Sequence, residues 1–315
     1  MTVALLGVAL GLTFLAAATF YPALGLAPGK RVGVLLPVCA LILLAPAIIP
    51  PDAPFLRFLA AVNAVAVSLK LYDLNRAAER EPRPSWRSFL LFLPNWSALV
   101  FRKLGTEPDP ARADTLRRLT RGVIELGCGV VLVVALFRVD WAGQPFALQH
   151  FAKVIAVHVA LFALSVALVS LWRLAGGKAR DFMNMPFLAA TPGDFWKRYN
   201  RGVYQFAYEN VFKPAGGMRA PIRASLATFA VSAIVHEYMF GIAIGRVTGY
   251  QTLFFLLQGL AVSATASANP AGWARLPWTA GTLGFTLATS VLFFASVNGL
   301  LPFYSGPLPS WLWAR

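Results

Sequence analysis

The stretch from Ala224 to Gly245, ASLATFAVSAIVHEYMFGIAIG, limits what this chain can fold into more than any other. It is apolar and, as a helix, long enough to cross a hydrocarbon core of about 30 Å, which takes roughly 20 residues. Near its middle stand His236 and Glu237. Ionisable side chains inside a membrane are costly and are functional candidates by default. Apolar runs of similar length lie near residues 2–24, 32–50, 54–72, 120–138, 147–172, 250–267 and 277–300. Hydrophobic residues make up 58% of the 315 and charged residues 13%, too little polar surface for a soluble protein. The expected fold is an all-α polytopic membrane protein, one domain over residues 1–315, with about eight transmembrane helices plus cytoplasmic interfacial helices.

Lys and Arg outnumber Asp and Glu by 28 to 13. In a soluble chain that excess would point to nucleic acid, but here the cations sit in the loops between apolar runs. With eight spans, the loops after the first, third, fifth and seventh carry 23 of the basic residues and the opposite side carries 5. The positive-inside rule then places those loops in the cytoplasm and both chain ends outside. No nucleic-acid partner is expected; juxtamembrane cations favour anionic lipid headgroups and can draw in an anionic cosubstrate. No basic residue precedes the first apolar run, so it is expected to be retained as a helix rather than cleaved as a signal. Cys39 and Cys128 fall within spans at no metal or redox spacing and read as small apolar residues. Gly241, Gly245 and Gly249 repeat a small-xxx-small spacing that predicts close helix packing. The run from Ser88 to Phe101, broken by Pro94 and carrying Trp96, is expected to lie in the interface or re-enter rather than span, and the WLWAR end, Trp311 to Arg315, reads as an interface anchor.

The longest predicted cytoplasmic segment, Arg173 to Arg223, is rich in aromatics and cations. Thr191-Pro-Gly-Asp194 predicts a turn into a helix capped by Thr191 or Asp194 and stopped by Pro214. A continuous helix from Phe195 to Phe212 would put Trp196, Asn200 and Tyr204 on one face. Taken alone, the segment reads first as an interfacial helix with Trp and Tyr at headgroup level and its cations in water. In the span that follows, His236 shares a face with Phe229, Ser232, Ala233, Met239 and Phe240, an apolar slot with one hydroxyl. An imidazole kept neutral by apolar surroundings can take up a proton, as a general base must; a membrane histidine serves as well to satisfy an interhelical hydrogen bond. Glu237 lies about 100° around the helix from His236 and is expected to bond another helix or a water-filled cavity. His150 and His158 have no Cys, Asp or Glu at ligand spacing; both read as structural, and no metal site is expected. Neither a nucleotide-binding glycine pattern nor a Gly-x-Ser-x-Gly elbow is present.

Phe195-Trp-Lys-Arg-Tyr-Asn200 followed by Ser232-Ala-Ile-Val-His-Glu-Tyr238 resembles the paired signature of the membrane-bound O-acyltransferase (MBOAT) superfamily, in its wax synthase and diacylglycerol acyltransferase branch. Asn200 and His236 are separated by 36 positions, and the resemblance is best over residues 186–260. Lys70-Leu-Tyr-Asp73 and Leu90-Leu-Phe-Leu-Pro94 resemble early wax synthase segments more faintly. The resemblance implies an MBOAT-like fold and an acyl-CoA-dependent O-acyltransferase that esterifies a lipid hydroxyl, with a long-chain fatty alcohol giving wax esters as the leading acceptor. His236 would be the catalytic histidine and Asn200 its partner. Glu237, Gln258, Trp196, Ser232 and Tyr204 are carried as candidate substrate contacts, Gln258 by its likeness to a tunnel glutamine. Tyr199 stands where the family pattern has Trp. No cofactor is implied beyond acyl-CoA as cosubstrate; the partners are acyl-CoA, a lipid alcohol and membrane lipids. The expected location is the inner membrane of a prokaryote or the endoplasmic reticulum of a eukaryote, as a multi-pass protein. An acyltransferase for diacylglycerol, a sterol or another hydroxylated metabolite would use the same His and Asn. A transporter or lipid-binding protein would use His236 and Glu237 as a polar relay and release no CoA.

Overall fold

A computed structural model of the chain describes all residues except 1, 80, 107–109, 307, 311 and 313–315. The WLWAR anchor thus lies outside the described residues, Leu312 apart, as does Arg80 of the third loop. The described residues form α1 (Thr2–Thr19), α2 (Pro28–Leu44), α3 (Pro54–Ala77), α4 (Trp86–Phe92), α5 (Arg112–Arg138), α6 (Phe146–Leu174), α7 (Pro192–Tyr199), α8 (Arg201–Ala207), α9 (Pro221–Ile244), α10 (Tyr250–Ala264) and α11 (Arg275–Asn298), with no strand among them. Proline in the first turn starts α2, α3, α7 and α9, where its missing N–H costs no hydrogen bond.

Seven helices among the described residues, α1, α2, α3, α5, α6, α9 and α11, are long and apolar enough to cross a membrane, the arrangement of an integral multi-pass protein. The predicted span at 250–267 is α10, only 15 residues long; at about 1.5 Å per residue it falls short of a full crossing. Its start is set by a tight loop in which Gly245 and Gly249 take φ of +76° and +78°, a left-handed geometry that favours glycine. These two glycines therefore serve the turn, which corrects the helix-packing reading of the Gly241, Gly245, Gly249 spacing. Close packing through glycine occurs instead between α5 and α6. There a Cβ on Gly129 would lie 2.9 Å from the Ala160 Cα, and one on Gly122 3.2 Å from the Ala167 nitrogen. The run from Ser88 to Phe101 does not span: α4 has seven residues, and the backbone beyond it turns back against α3.

Among the buried apolar clusters of the described residues, two are the largest. One gathers Phe20, Leu24, Leu71, Leu74, Phe89 and Phe92 from α1, α3 and α4 with their flanking turns. The other gathers Phe229, Phe254, Phe255, Val291 and Leu292 from α9, α10 and α11. Buried polar groups fix the loops. Lys70, fully buried in α3, donates to the carbonyls of Phe92 (2.9 Å), Leu93 (2.6 Å) and Asn95 (2.8 Å). Asp73 accepts from the Phe101 N–H at 3.2 Å and from the Asn210 amide at 2.9 Å. The 70–73 and 90–94 segments thus hold each other. Near the start of α6, Lys153 donates to the Phe303 carbonyl at 2.8 Å, and His150 meets the Tyr304 hydroxyl at 2.8 Å and Ser290 Oγ at 3.0 Å; both side chains tie the 303–305 segment to the bundle.

Arg102 and Lys213 converge on Glu209, at 3.2 Å and 2.9 Å. Burial alone would raise the Glu209 carboxyl, but these hydrogen bonds and charges outweigh it and hold it below the ordinary carboxylate range. A depressed carboxylate stabilises the fold above its unfolded pKa, and that contribution disappears as pH falls through the folded pKa. Glu209→Gln should therefore melt below the wild type at neutral pH in detergent, with the gap closing on acidification; a gap that stays constant with pH would refute this.

Candidate active site

His236 sits about two thirds of the way along α9, with neither glycine nor proline between Ile222 and His236. Its Nδ1 lies 2.8 Å from the Ser232 carbonyl oxygen. A carbonyl can only accept, so Nδ1 carries the hydrogen and Nε2 keeps its lone pair. Nε2 has no hydrogen-bond partner among the described residues. The ring lies 4.2 Å from the Phe255 ring and 6.1 Å from that of Phe293, centroid to centroid, so α10 and α11 close an aromatic slot around it. The Ser232 hydroxyl turns back to the Thr228 carbonyl at 3.1 Å. Ser232 thus acts on His236 through its backbone oxygen.

A short helix brings in Trp196. Thr191 caps α7, its hydroxyl accepting from the Asp194 N–H at 3.2 Å, and Asp194 pairs with Arg198 one turn on at 2.7 Å. The Trp196 ring lies 5.7 Å from Phe229 and 5.8 Å from Phe255, and its indole N–H donates to Gln258 Oε1 at 3.1 Å. Gln258, fully buried, donates in turn to Thr289 Oγ1 at 2.8 Å. The structure therefore brings His236, Trp196 and Gln258 together around Phe255. Sequence reasoning missed Phe255, Thr289 and Phe293. Phe255 was within reach, because it precedes Gln258 by one helical turn on the same face; α11 carried no motif that could have marked the other two.

Asn200 departs from expectation. The predicted continuous helix breaks there: α7 ends at Tyr199, and Asn200, at φ −141° and ψ 92°, becomes the N-cap of α8. Its Oδ1 accepts the Val203 N–H at 3.0 Å. An asparagine side chain competes for backbone N–H groups in this way. The Ser97 carbonyl also lies close by, so that a Cβ on Gly202 would come within 3.1 Å of it and only glycine fits there without a shift. Trp196, Asn200 and Tyr204 consequently do not share a face. Asn200 Nδ2 has no partner among the described residues. Tyr204 stacks on Tyr208 at 6.0 Å instead of joining the His236 cluster, and α8 runs into a π-helical turn, Tyr208–Phe212, that ends just before Pro214.

Glu237 points the other way around α9. Its carboxylate accepts from the backbone N–H groups of Thr248 (2.9 Å), Gly249 (2.7 Å) and Thr252 (3.0 Å). It acts as the cap of α10 from a neighbouring helix, satisfying donors that a helix start leaves free. Glu237→Ala should cost about 1–2 kcal/mol, the scale of a lost cap, read as a lower melting temperature; a variant that melts with the wild type would contradict it. Among the described residues no group of three or more His, Cys, Asp or Glu side chains could hold a metal ion.

Residues 150–298 match the sequence model of MBOAT, the membrane-bound O-acyltransferase family. The match runs from α6 to the end of α11 and contains Trp196, Asn200, His236 and Gln258. No curated protein matches the chain.

Proposed function

Residues 150–298 belong to the membrane-bound O-acyltransferase family, whose members transfer acyl groups to lipid or other hydrophobic acceptors, and from that premise we propose that this chain moves an acyl group from acyl-CoA to the hydroxyl of a long-chain fatty alcohol, yielding a wax ester. The observation that carries the reading is the state of His236. Its Nδ1–H is spent on the Ser232 carbonyl, which leaves an unbonded Nε2 lone pair inside an aromatic slot. That is the tautomer a general base needs. Nε2 takes the proton of the alcohol as its oxygen attacks the thioester carbonyl. The carbon–sulfur bond breaks, and the proton passes to the departing CoA thiolate. No covalent enzyme intermediate is required.

Asn200 fits the second role. Its oxygen is occupied by the α8 cap while its Nδ2 donors are uncommitted, and amide donors aimed at a developing oxyanion can contribute roughly 3 kcal/mol to such a reaction. Trp196 and Gln258, joined by their hydrogen bond, would wall the channel that receives the apolar chains. The basic segment 173–223, predicted cytoplasmic, suits the CoA phosphates. Acyl-CoA serves as cosubstrate with no further cofactor.

Purified protein supplied with palmitoyl-CoA and, in separate reactions, hexadecanol, diacylglycerol and cholesterol is expected to release CoA and form ester with hexadecanol. Ester from another acceptor alone would keep the chemistry and overturn the wax ester assignment. Wild-type protein that is folded and releases no CoA with any of them would overturn both.

A further inference from the structure

We infer that His158 and Tyr199 form a positioning pair that fixes Asn200 at the break between α7 and α8. The effect on turnover rests on the acyltransferase reading of Asn200; the effect on local structure does not. The Tyr199 hydroxyl lies 3.1 Å from His158 Nε2, and His158 Nδ1 lies 2.8 Å from the Val154 carbonyl. The carbonyl can only accept, so Nδ1 carries the hydrogen and Nε2 is left to accept the Tyr199 O–H. Burial pushes the Tyr199 hydroxyl up to about 12, so it remains a donor at every working pH.

The pair acts at a place that needs holding. Tyr199 is the last residue of α7, and helix ends fray where backbone groups lack helical partners. On one side of Asn200 the Asn184 N–H donates to the Arg198 carbonyl at 2.8 Å; on the other the Arg201 N–H donates to the Phe182 carbonyl at 2.9 Å. These bonds hold the backbone against the 182–184 segment. The Tyr199–His158 bond holds the same break from the opposite partner, α6. The Tyr199 ring also stacks on Phe195 at 5.3 Å and meets Trp196 edge-on at 5.8 Å, so one side chain couples the Trp196–Gln258 contact to the residue that presents the free amide donors. A phenylalanine at this position would keep the ring contacts and lose only the tether to α6.

The test compares Tyr199→Phe, His158→Leu and His158→Gln in detergent-purified full-length protein, after melting curves have shown that each is folded. The first readout is amide hydrogen exchange of the 200–206 segment, which includes the Val203 N–H capped by Asn200. Tyr199→Phe and His158→Leu should exchange about fivefold faster there, the scale of one lost hydrogen bond, while His158→Gln, whose amide oxygen can accept the tyrosine O–H, should stay near the wild type. Unchanged exchange in the first two variants, or a Gln variant no better than Leu, overturns the pair. The second readout is turnover: kcat should fall about five- to tenfold in the two disabled variants with KM for both substrates within about twofold, because only a donor used in the transition state is displaced. Faster exchange with unaltered kcat would overturn the positioning role. Should the wild type make no ester at all, the acyltransferase reading fails while the exchange data still decide the pair.

Discussion

His236→Ala is expected to lose about 10²- to 10⁴-fold in the rate of ester formation, the range of a general base, while remaining folded. The ring's bond to Ser232 lies within α9, so its removal leaves that carbonyl as an ordinary helix acceptor and strands no buried polar group. What disappears is the Nε2 lone pair and the contact with Phe255. His236→Gln, which retains bulk and polarity but has no proton-accepting nitrogen, should be as inactive as the alanine variant. KM for either substrate should change far less than kcat, since the base acts chiefly in the transition state. A folded His236→Ala protein that esterifies at the wild-type rate would end the assignment of this residue.

Lys70→Met is expected to produce the largest loss of stability, about 1.5–3 kcal/mol, the scale of hydrogen bonds made by a charged group in a buried site. The ammonium serves three carbonyls at once, those of Phe92, Leu93 and Asn95; with methionine of similar length the Phe92 and Asn95 carbonyls would keep their backbone donors, the Asn95 N–H at 3.1 Å and the Ala98 N–H at 3.5 Å, while the Leu93 carbonyl would have no donor among the described residues. The damage should not stay local. Asn95 holds the Ser97 N–H and hydroxyl at 3.0 and 2.7 Å, and the Ser97 carbonyl lies against Gly202, two residues past Asn200, with no room for a side chain between them. Loss of Lys70 should thus lower both the melting temperature and the turnover of the protein that remains folded. Thermal melting in detergent and specific activity per folded molecule check the two parts; a variant melting like the wild type would refute the role given to Lys70.

The spans were legible because hydrophobic length is a coarse property that survives any detail of packing, and α3, α6 and α9 lie where the apolar runs predicted. The cap at Thr191 was legible for a local reason, a hydroxyl three residues before a free N–H. Three features were hidden because they depend on competition between alternatives of similar local merit. Asn200 could continue a helix or cap a new one, and the Ser97 carbonyl against Gly202 belongs to a segment about 100 positions away in sequence. Gly245 and Gly249 suit helix packing and left-handed turns alike, and only the loop between α9 and α10 decides between them. Glu237 next to His236 invites a catalytic reading, whereas its donors lie 11 to 15 residues ahead on the next helix start. Phe293 and Thr289 bear no pattern of their own; only the packing of α10 against α11 brings them to the His236 and Gln258 side chains.

The bonds from α6 to the 303–305 segment bear on how the protein is made. Lys153 and its partner Phe303 are 150 positions apart, and α5 and α6 pack chiefly on each other through their glycine contacts. Translation in chain order would put this hairpin in the bilayer with its lysine and His150 lacking their eventual partners until the distant segment is made. Contacts so remote in the chain form late. Lesions at Phe303, Tyr304 or Ser305 should accordingly surface in quality control, as protein that is inserted but degraded before the bundle shuts, and leave the chemistry of the molecules that escape unchanged.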